Sequence, residues 1–197
     1  MKILGITGPT GAGKTTALNA LADLGACIID ADAVYHGLLE RDPALRSALT
    51  ARFGDILDET GKIDRKKLGE VVFSDQAALL DLNAITHRFV GEEIGRLLSQ
   101  AEAEGRPAAA IDAIALIESG LGRRCGAVVG VLAPAELRVR RIMAREGIPE
   151  AYARKRVQAQ KGEAFFRSHC DYILENTEAD TPEGFAHRAR ALFQSII

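Results

Sequence analysis

Lys2-Ile3-Leu4-Gly5-Ile6-Thr7-Gly8-Pro9-Thr10-Gly11-Ala12-Gly13-Lys14-Thr15 joins an apolar run to a glycine-rich turn and a lysine. Lys2–Ile6 is too short for a helix and reads as a buried strand. Thr7–Gly13 is the turn. Beyond it Ala17, Leu18, Leu21 and Leu24 recur on one helical face, and Gly25 is placed to stop that helix. Cys27-Ile28-Ile29 makes a second apolar run, which ends in Asp30-Ala31-Asp32. Strand, glycine turn, helix, strand is the start of a parallel α/β sheet.

Gly8 to Thr15 fits G-x-x-x-x-G-K-[ST] at every position, in the strand-to-helix context that gives the motif its meaning. Glycines let the backbone wind tightly, so that successive N–H groups converge on phosphate oxygens. The start of the following helix adds its positive end. Gly8, Pro9, Thr10, Gly11, Ala12, Gly13, Lys14, Thr15 and Thr16 are therefore the expected nucleotide site. Lys14 is the cation for the β- and γ-phosphates, and the Thr15 hydroxyl is a ligand for Mg²⁺. ATP and Mg²⁺ are the expected cofactors.

Further along, the pattern turns helical from about residue 33 to 104, with candidate helices over Pro43–Phe53, Arg65–Val72 and Gln76–Gln100 around the turn Asp58-Glu59-Thr60-Gly61. Ala108–Asp112, Ala127–Ala133 and Asp171–Leu174 read as three more strands. Ala135–Glu146 reads as an arginine-rich helix, and Pro149 opens one continuous helix over Glu150–Phe165. Thr181-Pro182 supplies an N-cap and first-turn proline for a last helix over Glu183–Phe193. The expected architecture is a three-layer α/β P-loop fold with a five-stranded parallel sheet. One domain over 1–197 carries a helical acceptor region at 33–104 and a lid at 135–166.

Composition narrows the function. The chain has 197 residues, 25 basic and 27 acidic, for a net charge of −2. Neither nucleic acid nor a membrane surface is favoured by that balance. Cys27, Cys125 and Cys170 are odd in number and far apart, which reads as buried thiols rather than a disulfide framework. The four histidines are scattered too widely for a zinc site. No signal peptide is read at the amino terminus, since Ile3–Ile6 breaks at once into the glycine turn. A cytoplasmic protein, monomeric or weakly oligomeric, is the expectation.

The chain has no N-K-x-D for reading guanine, and its arginines crowd residues 138–156. A kinase whose mobile lid brings cations onto the transferring phosphoryl group fits both facts. At this point a resemblance becomes specific. Ile28-Ile29-Asp30-Ala31-Asp32, Phe53-Gly54-Asp55-Ile56-Leu57, Gly61-Lys62-Ile63-Asp64-Arg65 with Leu68, Val72-Phe73 and Leu82-Asn83-Ala84-Ile85-Thr86-His87 resemble, in order, the motifs of dephospho-CoA kinases. So do Arg141-Ile142-Met143-Ala144-Arg145, Gln158-Ala159-Gln160 and Asp171-Tyr172-Ile173-Leu174-Glu175-Asn176. Departures fall at Asp112-Ala113-Ile114-Ala115-Leu116-Ile117-Glu118, where the family has D-(I/V)-P-L-L-F-E, at Arg88 in place of a proline, and at Gly126 in place of an aspartate. They leave open both a divergent member and a changed acceptor.

The resemblance implies transfer of the ATP γ-phosphoryl group to the ribose 3′-hydroxyl of dephospho-CoA, the last step of coenzyme A synthesis. Asp32 is then the general base, with Lys14 and Arg141 as catalytic cations and Asp112 beside the metal. His87, Leu116 and Glu118 would join Asp32 in holding the acceptor. Arg141 and Arg145, four apart on one helical face, would reach the phosphates from the lid, and Asn176 would lie beside the adenine. Arg138 and Arg140 crowd the same helix; Arg154, Lys155 and Arg156 read as solvated. Two other readings stay on the table: another small-metabolite or nucleoside monophosphate kinase, and a non-catalytic ATP-binding regulator.

Overall fold

The structure is a computed structural model describing residues 1–197. It divides into two compact units, Met1–Ile29 with Gln100–Ile197, and Asp30–Ser99. The strands are β1 (Lys2–Thr7), β2 (Cys27–Asp30), β3 (Ala108–Asp112), β4 (Ala127–Leu132) and β5 (Tyr172–Glu175). The helices are α1 (Lys14–Ala22), α2 (Ala31–Arg41), α3 (Pro43–Phe53), α4 (Arg65–Ser74), α5 (Gln76–Ala103), α6 (Ala135–Glu146), α7 (Glu150–Gln158), α8 (Glu163–His169) and α9 (Pro182–Ile196).

In the first unit the strands form a five-stranded parallel sheet in the order β2-β3-β1-β4-β5. β1 sits at the centre, with Lys2 opposite Ala108 and Ile6 opposite Asp112 on one side, and Leu4 opposite Ala127 on the other. Parallel strands covered on both faces read as continuous apolar runs, and β4, Ala-Val-Val-Gly-Val-Leu, is buried along its whole length. The parallel register puts the carboxyl ends of β1 and β3 side by side. The glycine turn leaves β1 there, and Asp112 ends β3 at the same edge.

One face of the sheet is covered by α1 and α9. Leu18 and Leu21 of α1 and Phe185 and Phe193 of α9 pack on Leu4, Ile6, Val129, Val131 and Leu174. Each large apolar side chain so buried stabilises by about 1.5–3 kcal/mol relative to exposure. The Thr181 hydroxyl caps α9 by accepting from Gly184 N–H at 3.0 Å, with Pro182 at the first position, as the sequence implies. α6 and α7 form a hairpin closed by Val139, Ile142, Ala153 and Val157. Arg154 joins its two arms by pairing with both Glu136 and Glu150.

The second unit is helical. Leu39, Leu45, Leu49, Ile56, Leu68, Val72, Ala78 and Phe89 are its core. Asp42 caps α3 through Ala44 and Leu45 N–H, and Asp64 caps α4 through Lys66 and Lys67 N–H. Asp58 organises the turn between them, accepting from the N–H groups of Thr60 and Lys62, while Leu57 and Ile63 make an antiparallel bridge.

Two elements differ from the sequence reading. The helix expected over Glu150–Phe165 is two helices, α7 and α8, separated at Gln160-Lys161-Gly162, with extended Gly162 as the N-cap of α8. α2 is an added helix, capped by Asp30, whose carboxylate accepts from Ala33 N–H at 2.9 Å. No helix is long and apolar enough to cross a membrane.

Candidate active site

The turn after β1 exists because two glycines permit close backbone approach. Gly8 has φ 139°, and a Cβ there would lie 2.1 Å from the Val131 carbonyl oxygen of β4. Gly13 has φ 107°, and a Cβ would lie 2.4 Å from Asn176 Nδ2. Both φ values are costly for any residue with a side chain. Gly8→Ala should therefore lower the Tm by roughly 5–10 °C, from about 2–3 kcal/mol of strain and overlap. A thermal melt of the nucleotide-free protein measures this, and an unchanged Tm would contradict the loop geometry.

Three successive carbonyls of the turn accept hydrogen bonds from side chains. Thr10 O accepts from Arg138 Nε at 2.9 Å, Gly11 O from Arg141 Nη1 at 3.3 Å, and Ala12 O from Asn176 Nδ2 at 3.0 Å. A trans peptide carries its C=O and the next N–H on opposite sides. Arg138 and Asn176 do not line the cavity described next, and fixing the Thr10 and Ala12 oxygens on them turns the Gly11 and Gly13 amides away from those two residues. Lys14, Thr15 and Thr16 stand in the first turn of α1, where N–H groups have no intrahelical acceptor. The first α1 bond to Gly13 O comes from Ala17 N–H. Not every amide is available: Thr10 N–H donates to Gln160 Oε1, and Ala12 N–H to Pro9 O.

These groups face a cavity of ≈ 390 Å³ lined by Pro9, Thr10, Gly11, Gly13, Lys14, Thr15, Ile114, Arg141, Arg145 and Arg156. The Lys14 ammonium lies 3.7 Å from Asp112 Oδ1, both side chains being largely buried. Oriented amides, a helix start and four cations around one cavity are complementary to a polyphosphate. Arg141 is oriented through Asn176, whose Oδ1 accepts from its Nη2 at 3.0 Å. Burial pulls the Arg141 pKa down, and Arg140 adds to this, while the charge of Asp180 opposes it.

Asn176 is 5 % exposed, and both ends of its amide are engaged, by Ala12 O and Arg141. It holds the loop and Arg141 together. Arg145 is exposed and pairs with Glu146 at 2.6 Å, within the cavity wall. Arg156, read from the sequence as solvated, also lines the cavity and pairs with Glu146. The structure adds Arg138 and Gln160, which hold Thr10, and Thr7, whose hydroxyl donates to Ile114 O at 3.1 Å and ties the end of β1 to the 112–118 segment.

Leu116 corrects the sequence reading. It is fully buried, with Cδ2 filling the space left by Gly5, where a Cβ would be 2.6 Å away. A side chain so enclosed holds the core, not a substrate. Leu116→Ala should cost about 2–5 kcal/mol of stability by leaving a cavity, with the KM for the acceptor unmoved; a Tm equal to the parent's would overturn this. Glu118 is exposed in the same segment.

Asp32 and His87 belong to the second unit. Asp32 is exposed in the first turn of α2, and because Asp30 is the cap, its carboxylate has no capping duty. His87 is exposed on α5, beside Arg88, which pairs with Glu92 and lies over the Phe89 ring. The thiols of Cys125 and Cys170 are pushed up to about 11, mainly by burial. Neither is a nucleophile at neutral pH.

A family model described as dephospho-CoA kinase matches residues 2–181. The chain is 37 % identical over 175 residues to a dephospho-CoA kinase of Thermobifida fusca, covering 88 % of this chain and 86 % of the relative. A solved structure from Thermus thermophilus superposes with a TM-score of 0.82 at 31 % identity, covering 100 % of this chain and 97 % of the other. The dephospho-CoA kinase of Campylobacter jejuni superposes with a TM-score of 0.71 at 28 % identity, covering 100 % and 98 %. One match thus runs from the first strand to the cap of α9, taking in the phosphate loop, the arginine helix and the 112–118 segment together: the chain belongs to the dephospho-CoA kinase family.

Proposed function

We propose that this protein transfers the γ-phosphoryl group of ATP to the ribose 3′-hydroxyl of dephospho-CoA, giving coenzyme A and ADP. The observation that carries this reading is the phosphate loop. Its carbonyls accept from Arg138, Arg141 and Asn176, and it borders a cavity shared by Lys14, Arg141 and Arg145. Phosphoryl transfer asks mostly for positioning and charge stabilisation, and these are what the loop supplies. Lys14 exchanges its contact with Asp112 for the β- and γ-phosphates. Arg141 and Arg145 hold charge on the transferring group.

The donor set fits Mg²⁺. Thr15 offers a hydroxyl at the start of α1 and Asp112 a carboxylate at the end of β3, both hard oxygen ligands. No group of three or more His, Cys, Asp or Glu side chains forms a cage, which suits an ion held mainly by phosphates and water. Bound there, it would screen the phosphate charge. Asp32 follows the end of β2 by two residues and serves as general base for the attacking 3′-hydroxyl, with His87 and Glu118 holding the acceptor. The enzyme works in the cytoplasm as a monomer or weak oligomer.

Phosphorus NMR of a reaction with ATP, Mg²⁺ and dephospho-CoA tests this. The expected product is coenzyme A, seen by a new 3′-phosphomonoester signal beside the unchanged pyrophosphate. A phosphate on any other position of the acceptor would overturn the assigned regiochemistry.

A further inference from the structure

All three polar groups of Thr10 are taken by two residues of the arginine-rich region. Its N–H donates to Gln160 Oε1 at 3.1 Å, its hydroxyl accepts from Gln160 Nε2 at 2.8 Å, and its carbonyl accepts from Arg138 Nε at 2.9 Å. Arg138 Nη2 donates to the same Gln160 oxygen. The result is a closed ring of hydrogen bonds joining the loop, α6 and the break between α7 and α8. Gln160 makes these bonds from within that break. Backbone contact reinforces the ring, since a Cβ on Gly11 would lie 3.1 Å from Arg138 O and 3.2 Å from its Cα.

Arg138 is 6 % exposed, and the two partners of its guanidinium are neutral oxygens. Burial alone draws its pKa down, with no neighbouring carboxylate opposing the shift. A buried cation without a counter-ion is expensive for a fold to keep. The phosphate loop beside it supplies a reason to keep it, because a bound polyphosphate brings the missing negative charge.

We propose that Arg138 and Gln160 are positioning residues for the phosphates of ATP. Gln160 binds Arg138 to Thr10. The fixed Thr10 carbonyl directs the Gly11 amide toward the cavity. Arg138 contributes a buried positive charge that is balanced only when the phosphates arrive. This rests on the ATP-dependent reading of the site but not on the acceptor, so it is measured by nucleotide binding alone.

The test is calorimetric titration of the full chain with ATP, alongside Tm without nucleotide, for Gln160→Glu, Gln160→Leu and Thr10→Val. Gln160→Glu places a permanent carboxylate against Arg138. It should raise the nucleotide-free Tm by roughly 2–4 °C while weakening ATP by on the order of tenfold. A residue that merely holds the fold would not move these two readouts in opposite directions. Gln160→Leu should weaken ATP about as much. Thr10→Val added to Gln160→Leu should cost less than the sum of the single losses, since the two side chains share one hydrogen bond. ATP affinity unchanged in Gln160→Glu, or additive losses in the double variant, would overturn the proposal. If the parent binds ATP but does not turn over dephospho-CoA, the acceptor assignment fails, and the affinity ratios still decide this proposal.

Discussion

Lys14→Ala is expected to reduce phosphoryl transfer by roughly a hundredfold to a thousandfold, the range for removing one preorganised charge from a phosphoryl-transfer site. Its ammonium is the one lysine in the cavity and begins α1, so its position is set by the loop and by the helix together. Nothing nearby replaces it. The other cations of the cavity, Arg141, Arg145 and Arg156, are guanidiniums carried on α6 and α7, not an ammonium at the start of α1. The substitution also leaves the Asp112 carboxylate without the ammonium 3.7 Å away in a largely buried setting, so a modest fall in Tm accompanies it. Steady-state ADP release, checked against a folded circular dichroism spectrum, measures the effect. A variant within tenfold of the parent would remove Lys14 from the chemistry. Lys14→Arg is no rescue, because a planar guanidinium does not fit a site shaped for a compact ammonium.

Asp32→Asn should lower kcat by roughly 10²–10⁴, the usual worth of a positioned general base, and leave ATP affinity as it is. The contrast with its neighbour sharpens the test. Asp30 caps α2 by accepting from Ala33 N–H, so Asp30→Ala should cost about 1 kcal/mol of stability. Asp32, exposed in the first turn of α2, is free for the acceptor hydroxyl in the proposed reaction. Stability should therefore respond to position 30 and rate to position 32. If Asp30→Ala lost the rate and Asp32→Asn only the Tm, the base would be misassigned.

How much of this could be read from the chain depended on the range of the interaction. β1, the glycine turn and α1 announce themselves because apolar period, glycines and lysine all lie within a few residues. α3, α6 and β3 fall on their expected boundaries for the same local reason: Asp42-Pro43 caps one, Pro134 precedes the second, and three alanines with an isoleucine make the third. α2 opens the stretch whose helical character is legible, and Asp30 as N-cap with Asp32 in the first turn marks its start.

Long-range features were not legible. Leu116 matched a family motif near the acceptor, but motif matching does not separate a core leucine from a contact residue; only the space above Gly5 does. Gln160 closes the Gln158-Ala159-Gln160 motif and Arg138 crowds the arginine-rich helix, but neither pattern names a partner. Their role depends on Thr10, which lies 150 residues from Gln160. Gln160 makes that contact from the break between α7 and α8, which periodicity alone does not reveal.

ADP release from ATP and Mg²⁺ tests the central claim most directly, comparing dephospho-CoA with a panel of nucleoside monophosphates and with no acceptor. The account predicts rapid release with dephospho-CoA alone, reduced by about a hundredfold or more in Lys14→Ala. Equal or faster release with a nucleoside monophosphate, or silence with every acceptor while ATP still binds, would contradict it.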